Sequence, residues 1–279
     1  MSRTAVRRAL ASVALATVAA CSPVSGGGPR TTRRTASVHA VALQGAGAVP
    51  DGSQLVDHGG AVLAAPHLYT IWWGSPGAFP ADAHTAVASF FAGLPGSGYL
   101  QLAGQYLRGA PVGASPAATF DDASAPPVRT GGPALVAEIA KLTHRAPDPA
   151  GVYFVFTANA PSRITYCGLH DSARIGGNEV AYVYLPNPSG RIGCTPRVRL
   201  GANGFTEATQ AWVNIAAHEL LEAMTDARPL GDAAWLDDAG MEIGDKCAWR
   251  FAAPVTLSNG TRWQLQTEWS NRQGGCAQG

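Results

Sequence analysis

The sequence predicts an α/β domain: one mixed sheet with helices packed on it. Three observations carry this. Short apolar and aromatic runs of strand length occur at His67–Trp73, Gly151–Thr157 and residues 179–185. Longer stretches between and after them carry apolar residues at helical spacing, so strands and helices interleave. No internal repeat is present, which leaves one sheet and one core.

The elements follow in order. HLYTIWW is a buried strand stopped by Gly74-Ser75-Pro76. Residues 81–94 place Ala86, Val87, Phe90, Phe91 and Leu94 on a helical face before a Pro-Gly stop. Residues 99–107 predict a second helix. Residues 109–132, rich in Ala, Pro, Gly and Asp, predict a long loop. Residues 133–144 predict a helix with Leu135, Ile139 and Leu142 on one side. GVYFVFT and EVAYVYL are the two clearest strands, and residues 206–226 the clearest helix. Residues 255–257 and 262–269 predict a hairpin turned at Ser258-Asn259-Gly260.

The N-terminus reads as targeting rather than fold. Arg3, Arg7 and Arg8 precede an apolar run from Ala9 to Ala20, which is too short to span a bilayer permanently. Val18-Ala19-Ala20-Cys21 looks like a bacterial lipoprotein cleavage box, with Cys21 as the lipid-bearing first mature residue. The alternative is an ordinary secretory signal cut after a small residue. The expected organisation is a signal peptide over 1–20, a flexible tether over 21–50 and the folded domain over 51–279. The tether is Ser, Gly, Pro, Thr, Arg and Ala without an acid, so it has little to bury. The protein is therefore expected outside the cytoplasm, anchored to the membrane of the bacterial cell envelope or secreted.

Cysteine and charge counts agree with export. Setting Cys21 aside leaves Cys167, Cys194, Cys247 and Cys276, an even number that predicts two disulfides. Of the three possible pairings, Cys167–Cys194 and Cys247–Cys276 close short local loops and are favoured. Six of the 20 basic residues precede residue 50 and none of the 19 acids does, so the domain is net acidic. That excludes a nucleic-acid partner.

The residues that promise chemistry lie between 206 and 245, where nine of the 19 acids fall beside one cation, Arg228. On a helical wheel His218, Glu219, Glu222 and Asp226 share one sector, and Val213, Ala217, Leu220, Leu221 and Met224 the opposite one. Ligands at i and i+4 bite one ion from one helical face, and a carboxylate at i+1 reaches its water. His218 and Glu222 are thus candidate metal ligands and Glu219 a candidate general base. Glu242 is the candidate third ligand, with Asp226 and Asp245 as supports that orient the ligands. The bland alternative is a solvated acidic face. A calcium site is a further option, since Asp232, Asp237, Asp238, Glu242 and Asp245 are hard oxygen ligands without EF-hand spacing.

Two family resemblances bear on these residues. H-E-x-x-E at 218–222 resembles the H-E-x-x-H helix of zinc metallopeptidases, which implies a zincin-like metal-site helix with Glu242 as a glutamate third ligand. Glu222 stands where that motif has its second His. Two carboxylates and one imidazole would neutralise Zn²⁺ and favour a harder ion such as Mn²⁺. Zinc is the expected cofactor, with manganese and calcium open. The second resemblance covers more of the chain. His58-Gly59-Gly60, Leu68-Tyr69-Thr70-Ile71-Trp72-Trp73-Gly74, Phe90-Phe91 with Tyr106, Cys167-Gly168-Leu169-His170 and Ala217-His218-Glu219-Leu220 occur in the order of the exordium (phosphate-induced protein 1) family. That resemblance implies a secreted surface domain. The comparison also draws attention to His170, which follows a disulfide Cys and a Gly and is a candidate ligand or oxyanion donor.

The function these readings predict is a lipid-anchored, metal-dependent hydrolase acting on a peptide. The alternative is a non-catalytic envelope protein whose structural ion supports binding of a peptide or wall glycan. A third reading is a wall glycosidase using paired carboxylates such as Glu219 and Asp237.

Overall fold

The computed structural model describes residues 40–44, 52–161, 164–196 and 203–279. In chain order its strands and helices are β1 (Val56–Asp57), β2 (His67–Trp73), α1 (Ala83–Gly93), α2 (Gly98–Gln101), β3 (Ser115–Asp122), α3 (Gly132–Leu142), β4 (Gly151–Thr157), β5 (Leu169–Ile175), β6 (Asn178–Pro186), α4 (Glu207–Thr225), β7 (Trp235–Leu236), β8 (Val255–Thr256), β9 (Arg262–Trp263), β10 (Glu268–Ser270) and β11 (Gly275–Ala277). The main sheet has the order β3-β2-β4-β6-β5. The first four strands run parallel, and β5 turns back antiparallel on β6. The fold is α/β with one mixed sheet, as the interleaved pattern predicts.

The central strands read as continuous apolar runs because both faces are covered. On one face Trp72, Phe154, Phe156, Val183 and Leu185 pack with Phe90 and Phe91 of α1 and Trp212 and Leu220 of α4. On the other, Ile71, Trp73, Val155 and Tyr182 pack with Leu135 and Ile139 of α3. Trp72 stacks on Phe156 at 4.3 Å and meets Trp212 edge-on at 6.0 Å, fastening α4 to the sheet.

Several expectations need correction. The stretch 109–132 is not all loop. It contains β3, an edge strand paired with β2, whose SPAATFDD side chains are mostly exposed and so show no apolar pattern. β5, LHDSARI, was equally invisible, because it pairs through backbone and carries polar residues. The helix expected over 99–107 is one turn, α2, followed by a 3-10 turn at Leu102–Tyr106. The strand expected over 262–269 is two: β9 closes the hairpin on β8, while β10 pairs with β11.

Part of the stretch expected as tether is packed. Ala40 and Val41 are buried, Cys167 N–H donates to Val41 O at 2.7 Å, and Ala42 bridges Tyr166 antiparallel. Trp249 Nε1 donates to Ala42 O at 2.8 Å. A short extended run of small and branched residues found a strand edge to pair with. The folded region therefore reaches back beyond residue 51. Residues 1–20 and Cys21 lie outside the described residues.

Both expected disulfides are present, Cys167–Cys194 and Cys247–Cys276. No helix among the described residues is long and apolar enough to cross a membrane.

Candidate metal centre

Helix α4 begins at Thr206, whose hydroxyl caps Thr209 N–H. The Asp82 carboxylate accepts from Thr206 N–H at 2.5 Å and Thr209 Oγ1 at 2.6 Å, so α4 starts against the start of α1. From Thr209 to Thr225 every residue of α4 is buried. The polar sector of the wheel exists, but it faces protein, not water. A solvated acidic face is thereby ruled out for His218, Glu219 and Glu222, all 0 % exposed.

Two other segments meet that sector. β5 brings His170, which pairs in register with Val183 and so shares its face, towards α4. The turn after β7 brings Glu242 and Asp245. Asp237 builds this turn by accepting from Ala239 and Met241 N–H, and Trp269 N–H donates to Ile243 O. Both disulfides fasten these segments. Cys167 lies three residues before His170, and Cys247 two after Asp245.

The donor atoms that converge form two groups rather than the expected trio of His218, Glu222 and Glu242. One is His218, Glu222 and Asp245; the other is His170, Glu222 and Glu242. Glu222 belongs to both. Its Oε1 lies 2.9 Å from His218 Nε2 and accepts Asp245 N–H at 3.0 Å. Its Oε2 lies 3.4 Å from His170 Nδ1. His218 Nε2 is 3.8 Å from Asp245 Oδ1, and His170 Nε2 is 3.3 Å from Glu242 Oε1. Glu219 Oε2 pairs with His170 Nδ1 at 3.2 Å, and its Oε1 accepts the backbone N–H of Val41 at 3.3 Å. Asp226 closes the helix, supplies its carbonyl to His170 Nε2 at 3.2 Å and binds Ala234 N–H through Oδ1 at 2.9 Å. Asp245 alone of the cluster touches solvent, with 17 % of its side chain exposed.

Two glycines make room for this. A Cβ on Gly244 would sit 2.7 Å from the His218 ring, and one on Gly168 would sit 2.5 Å from Ile215 and 3.0 Å from Glu219 Oε1. Glu268, on β10, is also fully buried and accepts from Tyr99 Oη at 2.6 Å. Glu268, Val41 and the two glycines were not foreseen. Glu268 stands between Thr267 and Trp269, and no pattern around it points to a site.

Electrostatics follow from burial. Burial pushes Glu219 up to about 7 and Glu268 up to about 8. For Glu222 burial also works upward, but His218 and His170 outweigh it and hold the carboxyl well below its usual range. Burial opposes charge on both imidazoles. Glu242 with Glu219 and Glu222 outweighs it at His170, and Glu222 with Asp245 does so at His218, so both rings sit well above the ordinary histidine value.

No protein-family model matches the chain, and no curated protein does.

The remaining acids sort themselves. Asp237 Oδ2 is paired with the buried Lys246 at 2.6 Å. Asp232 and Asp238 are exposed. Neither joins the cluster.

A divalent ion fits the donor set. Imidazole nitrogen with carboxylate oxygen suits zinc or manganese. His218 Nε2, which faces Glu222 and Asp245, and Glu222 Oε2 are buried with ion-pair contacts but no well-formed hydrogen bond, the usual mark of a missing partner.

Proposed function

We propose that the chain is a divalent-metal-dependent hydrolase outside the cytoplasm that acts on peptide bonds. The observation that carries the reading is the buried convergence of two imidazoles and three carboxylates on Glu222. His218, Glu222 and Asp245, or His170, Glu222 and Glu242, would hold the ion. Bound there, it would supply Lewis acidity and a water of lowered pKa, about 7. Glu219 would take that water's proton, at a carboxyl that burial already poises near 7. Where His218, Glu222 and Asp245 hold the ion, His170 would hold Glu219 in place through Nδ1, with the Asp226 carbonyl fixing the ring from its other side.

The peptide substrate is supported by residues 40–44. An extended backbone already lies along Tyr166 and Cys167 and donates an N–H to Glu219. A substrate strand would use the same donors and acceptors. In this arrangement the chain covers its own base. Val41→Pro removes the donor without removing the segment. It is expected to raise peptide hydrolysis severalfold, whereas Glu219→Gln is expected to abolish turnover and leave metal content intact. A Glu219→Gln protein as active as the parent would end the role of Glu219 as base, and a metal-loaded parent without peptide hydrolysis would end the hydrolase reading.

A second reading keeps the ion but not the chemistry. Full burial of four of the five donors favours a structural ion in a non-catalytic envelope protein that binds a peptide or wall glycan. Under it, neither substitution changes any turnover.

The two disulfides fit an oxidising compartment. Lipid attachment at Cys21, and so a membrane partner, is proposed on the sequence motif. Membership of the exordium family is proposed on the order of its motifs, one of which, Cys167-Gly168-Leu169-His170, carries a donor of the cluster.

A further inference from the structure

We infer that the centre holds two divalent ions bridged by Glu222, resting on the metal-site reading above. Each donor group contains one imidazole, one carboxylate of its own and Glu222: His218 with Asp245, and His170 with Glu242. The two oxygens of Glu222 diverge. Oε1 faces His218 at 2.9 Å, and Oε2 faces His170 at 3.4 Å. A carboxylate whose oxygens address different imidazoles is placed to bridge ions roughly 3.5–4 Å apart, the spacing of two-metal sites. The two groups share Glu222 alone, and neither unites both histidines.

One further observation points the same way. Glu222 Oε2 on the His170 side and His218 Nε2 on the other, the nitrogen that faces Glu222 and Asp245, are fully buried with ion-pair contacts but no well-formed hydrogen bond. Each half therefore presents a polar atom to a ligand. The pair would also give a hydrolase two points of contact for attacking and leaving atoms, where a mononuclear site has one.

The test uses the purified protein reconstituted with Mn²⁺ and desalted. Elemental mass spectrometry gives stoichiometry, and electron paramagnetic resonance reports coupling between ions. Two equivalents in the parent are expected, with a magnetically coupled spectrum, and one equivalent in each of His170→Ala and His218→Ala. One equivalent in the parent, with the hyperfine pattern of an isolated ion, would overturn the pair and leave a mononuclear site standing. No bound manganese would overturn both. The parent spectrum decides the matter even if a variant fails to fold.

Discussion

At the scale of single residues, the centre depends on atoms that are absent as much as on those present. Gly244 lies flat against the His218 ring, where a methyl group would intrude to 2.7 Å. Gly244→Ala is expected to tilt the imidazole off Glu222 and lower metal affinity at least tenfold. Overpacking of this kind costs about 1–3 kcal/mol of stability. Isothermal titration with Zn²⁺ and a thermal melt check it, and unchanged affinity would mean that the ring is not a ligand. Lys246 is the second telling residue. Its ammonium is buried, paired with Asp237 at 2.6 Å and seated 4.6 Å from the Trp269 ring centre. Lys246→Met leaves Asp237 charged and unpaired, and is expected to cost about 3–5 kcal/mol in denaturant unfolding. The same pairing commits the Asp237 carboxylate to Lys246.

At the scale of elements, α4 is a helix buried on every side, and its polar sector is usable only because β5 and the turn after β7 cover it. Its start is held by Asp82. Burial works to raise the Asp82 carboxyl, but hydrogen bonds from Thr209 and Thr206 outweigh it and lower the pKa. A carboxyl lowered on folding contributes stability above its unfolded pKa, about 4, and loses that contribution as pH falls through the folded value. Asp82→Asn is therefore expected to melt below the parent at pH 7, with the gap closing below about pH 4. A gap constant with pH would show that Asp82 acts through packing alone. The element scale also shows what sequence could carry. α4 and the strands β2, β4 and β6 were legible because burial on both faces writes apolar runs. β3 and β5 were not, because an edge strand is held by backbone hydrogen bonds that no side chain records. The cost fell on the site. His218, Glu219 and Glu222 could be placed together by helical period alone. The trio with Glu242 came out as two groups because His170 arrives on a strand that the pattern does not show. Residues 40–44 escaped for a related reason, since five residues in a polar linker give no periodicity to read.

At the scale of the whole molecule, the disulfides and the centre form one assembly. Cys167–Cys194 pins the approach to His170, and Cys247–Cys276 pins Asp245 to the C-terminal strands. Native alkylation is expected to find no free thiol among the four. Reduction is expected to release bound metal before the sheet melts, as followed by a chromogenic chelator beside far-UV circular dichroism. Retention of metal by the reduced protein would show that the sheet and α4 suffice. The net acidity of the domain agrees with a cationic ligand at its centre, since the segment that builds the cluster has a larger acidic excess than the domain as a whole. A metal that binds only the folded state stabilises it by about 2.7 kcal/mol at a hundred times its dissociation constant. For a domain of this size that is a rise of roughly 5–10 °C in melting temperature.

The most direct test of the central claim is elemental mass spectrometry of the purified protein after incubation with zinc or manganese and desalting, beside Glu222→Ala. The account predicts at least one tightly held equivalent in the parent, loss of most of it in the variant, and a melting temperature that falls on chelation in the parent alone. A metal-free parent whose melting is indifferent to added ions would contradict it, and would leave the two imidazoles and their carboxylates as a buried ion-pair network.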